Sequence, residues 1–145
     1  YVSPALAEKL VPANVTYLRD SLAEAEGLKV WGSPWQPWFG DWAFNLERGA
    51  ELARKWALIP DDTEVLMTHG PPHGVLDETS DVPPERAGCE ALAERLMQLR
   101  NLQLHVFGHI HEGHGTVIQG SLTCVNASIC DDRYVPRNLP VIVDL

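Results

Sequence analysis

The chain has 145 residues, with apolar and charged content near the globular average, enough for one compact domain with its own core. Its formal net charge is −9, from eleven basic and twenty acidic residues, which argues against a nucleic-acid polymer as partner because phosphate backbones are gripped by basic surface. Its apolar runs are too short to span a bilayer and no charged-then-apolar leader is visible, so neither a membrane partner nor a signal peptide is expected.

In chain order, residues 1 to 12 read as a helix or loop, with Pro4 suited to a first helical turn and Pro12 to an end. "VTYLRD" and "GLKVWGS" read as two short strands flanking "SLAEAEG". "SPWQPWFGDW" follows, an aromatic segment too broken by proline and glycine for regular structure. From Ala43 to Trp56 the spacing of Leu46, Ala50 and Ala53 predicts a helix. "EVLMTH" has the length and composition of a buried strand, and "GPPHGVLDETSDVPPE" is a long loop of the kind that carries function. A second helix is expected from Pro84 or Glu85 to about Arg100, with Leu92, Leu96 and Leu99 as its apolar stripe. "LQLHVF" reads as a second buried strand. "TVIQG", "SLTCVNAS" and "LPVIVDL" read as antiparallel strands, the first two joined by a "QGS" hairpin.

The two buried strands joined through a helix predict a parallel crossover within an α/β layered unit. That order sets the loops "HGPP" and "GHIH" side by side, beyond the carboxyl ends of neighbouring strands, where open α/β sheets place their ligands. His69 ends one strand, and His109 and His111 follow the other. Residues i and i+2 of an extended segment point the same way, so His109 and His111 are expected to converge. Neutral imidazole is a common ligand of transition metals. An isolated H-x-H is more often an ordinary surface turn, and the second strand-end histidine moves the balance toward a metal site.

The other residues have plainer readings. The tryptophans of the aromatic segment either form a wall for a planar ligand or pack their loop onto the helix that follows, with Trp38 or Phe39 the candidate to reach the pocket. His114 is a candidate phosphate contact and otherwise an exposed turn residue. Asn126 and Ser128 either line the pocket or serve turn hydrogen bonding. His105 reads as a core or sheet-face histidine, and Asp131 and Asp132 as a solvated loop. Cys89, Cys124 and Cys130 are odd in number and form no C-x-x-C pair, so reduced thiols in a cytoplasmic chain are expected. Asn14-Val-Thr16 and Asn126-Ala-Ser128 match a glycosylation sequon, and both are taken as chance.

"LMTHGPP" and, about forty residues later, "LHVFGHIHEGHG" resemble the last two signature blocks of the calcineurin-like metallophosphoesterases. The aromatic segment, the "THGPP" block, Ala87-Gly88-Cys89 and the ending "VNASICDDRYVPRNLPVIVDL" are similar to the metallophosphoesterase-domain-containing (MPPED-type) branch. The resemblance runs from about Thr16 to the end. It implies half of a four-layer α/β/β/α sandwich, with a mixed sheet and flanking helices. It also implies a phosphodiesterase acting on cyclic nucleotides or related phosphodiesters, through a hydroxide bridging two divalent metal ions about 3.5–4 Å apart. By that resemblance His69 and His109 ligate one ion and His111 the other. Manganese is the first choice of metal, with iron, magnesium or zinc as alternatives, and His114, Trp38 and Asn126 are substrate-binding candidates.

The D-x-H, G-D-x-x-D and G-N-H blocks of that family do not occur in this sequence. The expectation is therefore a single unit, residues 1–145, forming the C-terminal part of such a domain. Alone it should hold metal weakly and turn over little. An N-terminal half would complete the site, its substrate being a small phosphodiester or nucleotide. The alternative is a catalytically incomplete fragment that self-associates or binds another protein.

Overall fold

A computed structural model describes residues 4–145; the first three residues of the expected N-terminal helix or loop lie outside the described residues. Helix α1 spans Pro4–Lys9. Strands β1 (Ser21–Ala25) and β2 (Leu28–Ser33) form an antiparallel hairpin, Ala25 opposite Leu28. This corrects the expected order, since "SLAEAEG" is itself a strand and "VTYLRD" is not. Glu26 and Gly27 have φ of 50° and 82°. Two left-handed residues in succession are what a two-residue hairpin turn requires.

Two-residue strands β3 (Gln36–Pro37) and β4 (Asn45–Leu46) pair at the base of the aromatic segment. Helix α2 runs Ala50–Trp56, shorter than the expected Ala43 start. Phe44 (φ 61°) and Gly49 (φ 85°) are left-handed and cannot belong to a right-handed helix. Its buried residues are Leu52 and Trp56, not the alanines on which the spacing was read.

Strand β5 (Val65–Thr68), helix α3 (Glu90–Leu96) and strand β6 (Leu104–Phe107) make the expected crossover, with β5 and β6 parallel. Helix α3 begins later than Pro84 because the preceding residues are committed to loop contacts. Ala87 N–H donates to the Asp77 carbonyl and Cys89 N–H to that of Pro71. Strands β7 (Gly115–Gln119) and β8 (Leu122–Asn126) form the predicted hairpin, and β8 lies parallel to β6. The sheet order is β1-β2-β5-β6-β8-β7. "LPVIVDL" is not a strand. The backbone N–H groups of Arg137 and Asn138 turn back to the Ile129 carbonyl, and the chain beyond them joins no strand of the sheet.

Helices α2 and α3 cover one face of the sheet. Trp31 and Leu66 from the strands meet Leu52, Trp56 and Leu92 from the helices in the main core cluster. Side chains alternate along a strand, so Met67 faces the other way, and it is 47% exposed. This is the expected half-sandwich: a mixed sheet with helices on one face.

Candidate functional site

Strands β5 and β6 are paired neighbours, Met67 beside Val106, so the loops at their carboxyl ends emerge together. Gly108 N–H donates to the His69 carbonyl at 3.0 Å and ties the two loops at their roots. The rings of His69 and His109 then meet, with centroids 4.8 Å apart and His69 Nε2 3.1 Å from His109 Nδ1.

His109 reaches this position in the left-handed region, φ 70°. A non-glycine residue there costs on the order of 1 kcal/mol or more, and such strain persists where the surroundings hold it. Here aromatic edges hold it: Phe39 and Trp42 stand nearly perpendicular to the His109 ring at 5.1 and 6.2 Å. The expectation that an extended segment aligns His109 and His111 is thus replaced by a bend, and His111 opens a short 3-10 turn, His111–Gly113.

His111 still lines the same cleft. Its Nδ1 lies 2.8 Å from the Asp131 carbonyl. A carbonyl only accepts, so Nδ1 carries the proton and Nε2 keeps its lone pair. Metal-ligating histidines commonly show that arrangement, the far nitrogen donating to a carbonyl. Tyr134 packs edge-on against the ring at 5.0 Å.

The cleft has a volume of about 500 Å³. Phe39, Trp42 and Tyr134 provide its apolar walls, and Thr79, Ser80, Asp81, Glu112 and Asp132 its polar rim. Ser80 donates to Glu112 Oε1 from both its backbone N–H and its hydroxyl, at 3.1 and 2.7 Å, so the long loop is tied to the histidine loop. The aromatic segment is anchored at its root by Asp20, which accepts from Ser33 Oγ, Trp35 Nε1 and Lys55.

Burial lowers the pKa of His69. His109 is pushed down to about 4, first by burial and then by repulsion from His69 and His111, with Glu112 opposing. Both rings are therefore neutral at physiological pH, the form in which imidazole ligates metal.

A metal fits part of this set. Two nitrogens bound tetrahedrally at the usual zinc distance stand roughly 3.3 Å apart, close to the observed 3.1 Å. His111 is oriented as a ligand but does not join the pair: among the described residues no three His, Cys, Asp or Glu side chains are grouped to hold an ion. The carboxylates that balance two divalent charges are what this donor set lacks.

The substrate-binding candidates lie elsewhere. Trp38 is 63% exposed and does not line the cleft, whereas its neighbour Phe39 does. Asn126 is fully buried beneath the loops, donating to the carbonyls of Ile110 at 2.7 Å and Leu76 at 3.3 Å. His114 is outside the cleft, its Nδ1 buried without a partner. Tyr134, Ser80 and Glu112 were not named as site residues: Ser80 and Glu112 lie in the two loops already marked, and Tyr134 is brought to the cleft by a segment distant in sequence. Trp42 belonged to the aromatic segment but was not singled out.

Strand-end histidines from neighbouring parallel strands thus meet over a cleft in an α/β unit. No family model matches it. The human and mouse proteins named metallophosphoesterase domain-containing protein 1 are each 48% identical to it over 134 residues, 91% of this chain and 40% of theirs. A Caenorhabditis elegans UPF0046 protein is 39% identical over 140 residues, 97% of this chain and 35% of its own. One crystal structure shares the fold, with a TM-score of 0.54 at 22% identity, over 77% of this chain and 45% of that one. The chain belongs to the calcineurin-like metallophosphoesterases, in the metallophosphoesterase-domain-containing branch. It spans about two fifths of the length of the curated relatives it matches.

Proposed function

We propose that this chain supplies the histidine side of a divalent-metal phosphodiesterase whose substrates are small phosphodiesters such as cyclic nucleotides. The observation that carries this is the pair of neutral imidazoles with nitrogens 3.1 Å apart, in a cleft shared with His111. In this reading His69 and His109 hold one ion and His111 a second. Manganese is the first choice, with iron, magnesium or zinc as alternatives. The ions supply Lewis-acid charge to the phosphoryl group. Phe39, Trp42 and Tyr134 exclude water and offer flat apolar surface to the substrate's organic part. Among the described residues no lysine or arginine lines the cleft, so in this reading the metal carries the positive charge that receives phosphate. The missing carboxylates come from an N-terminal half. The protein works in the cytoplasm, in keeping with its three free thiols.

The test uses the full-length protein and a chromogenic phosphodiester with added Mn2+. His109→Ala and His111→Ala should each reduce turnover at least about a hundredfold, the upper scale seen when even an outer-shell partner of a metal is lost. Turnover within a few-fold of the parent would defeat the ligand assignment. The isolated 145-residue chain should show little activity under the same conditions.

The sheet face opposite the helices favours a second reading, self-association or binding of another protein. Met67 is 47% and Ile118 72% exposed. Apolar residues on an open sheet face favour pairing between chains. Sedimentation of the 145-residue chain distinguishes the two: a dimer dispersed by Met67→Lys supports pairing, and a monomer at all concentrations removes self-association.

A further inference from the structure

His105 is a buried titratable side chain that the cleft does not use. It lies within β6 beside Leu66 of β5, fully enclosed. Its Nε2 is 2.8 Å from Thr68 Oγ1. The same hydroxyl donates to the Gly70 carbonyl, also at 2.8 Å.

These contacts locate the protons. A threonine hydroxyl has one hydrogen, and a carbonyl can only accept, so that hydrogen goes to Gly70. Toward His105 the hydroxyl oxygen must then accept, which requires N–H at His105 Nε2. A neutral imidazole has one ring proton, so Nδ1 is left bare. Nδ1 is in fact a buried nitrogen with no partner. An unsatisfied buried acceptor is destabilising, and a leucine or phenylalanine would fill the space without it. Packing alone therefore does not explain an imidazole here.

We propose that His105 is a positioning residue for His69. Its Nε2–H holds the Thr68 hydroxyl so that the hydroxyl's proton goes to Gly70, fixing the turn that presents the His69 ring to His109. The turn is then held from two sides, since the His69 carbonyl accepts from Gly108 N–H while the Gly70 carbonyl accepts from Thr68. The geometry stands on its own; the functional weight of the proposal rests on the reading of His69 as a metal ligand.

The experiment is nitrogen-15 NMR of the histidine rings in the full-length protein, with Mn2+ titration of the same samples. In the parent protein His105 should be neutral with the proton on Nε2. Thr68→Val should move the His69 ring resonances and weaken Mn2+ binding about 10–100-fold, the range for losing an outer-shell partner. Thr68→Ser, which keeps the hydroxyl, should restore both.

A proton on Nδ1 of His105 in the parent protein would overturn the proposal without any substitution, so the test survives a variant that fails to fold. A folded Thr68→Val with unmoved His69 resonances would overturn it as well. If the NMR results hold but no sample binds Mn2+, the positioning stands and the metal reading falls.

Discussion

Two irregular stretches of this chain, the long loop at 70–89 and the tail at 129–145, are similarly poor in secondary structure and differ in almost everything else. The loop is anchored. Pro71, Pro72, Val75, Asp77 and Cys89 are all buried along it. The Asp77 carboxylate accepts from Gly74 N–H, Gly88 N–H and Arg86 at 2.9, 3.2 and 2.8 Å. Gly88 packs so closely on Pro72 that an added Cβ would stand 2.5 Å from its carbonyl oxygen. The tail has its anchor near its start, where Asn138 Nδ2 donates to the Ser128 carbonyl, and then exposes Ile142 at 88%. An irregular segment is therefore held by satisfied buried polar groups rather than by helix or strand, and both segments reach the cleft, the loop through Thr79, Ser80 and Asp81 and the tail through Asp132 and Tyr134.

Asp77 is the sharpest place to break that comparison. Asp77→Ala should destabilise the protein by about 2 kcal/mol, because it leaves the buried Gly88 N–H and the partly buried Gly74 N–H without an acceptor. Little of that loss comes from the ion pair, since Arg86 is half exposed and its charge is screened. Urea unfolding measures the loss, and proteolysis should nick the 70–89 loop first. A variant as stable as the parent, with a protected loop, would show that the carboxylate does not hold the loop.

The strands that carry the histidines were legible because their signal is local. "EVLMTH" and "LQLHVF" are apolar, short and bounded by breakers, and the crossover between them follows from length. His69 and His109 were found by that route. The features that escaped are set by backbone sign or by tertiary contact. Glu26-Gly27 turns a hairpin in what read as a spacer, and Phe44 and Gly49 delay α2, because positive φ at a non-glycine residue leaves little trace in composition. Asn126 was ambiguous between pocket and turn, and its burial beneath Ile110 depends on a strand partner far away in sequence. Tyr134 reaches the cleft only because Asp131 meets His111.

Acid should act on the sheet and the anchored loops before it acts on the tail. Burial pushes His105 down to about 3 from an ordinary value of 6.5. Between those values the unfolded chain binds a proton that the folded chain excludes, so stability is lost as pH falls from 6.5 toward 3. His109, at about 4, works in the same direction. Between pH 7.5 and pH 5 each of these two histidines should remove on the order of 2 kcal/mol of unfolding free energy. His105→Gln should flatten that slope whatever it does to stability at neutral pH. A slope as steep in the variant as in the parent would take His105 out of the account.

The smallest effect is expected at the tail, and it tests the other half of the comparison. Ile142 is apolar, in a segment of strand-like composition, and yet 88% exposed. If exposure governs its contribution, Ile142→Ser removes almost no buried area and should change stability by less than about 0.5 kcal/mol. The measurement is worth making in both the 145-residue chain and the full-length protein. A negligible change in the short chain with a loss above about 1 kcal/mol in the long one would mean that further chain covers the tail, since burying an isoleucine is worth about 1.5–3 kcal/mol. A loss of that size in the short chain itself would contradict that exposure and would make the tail a second anchored segment.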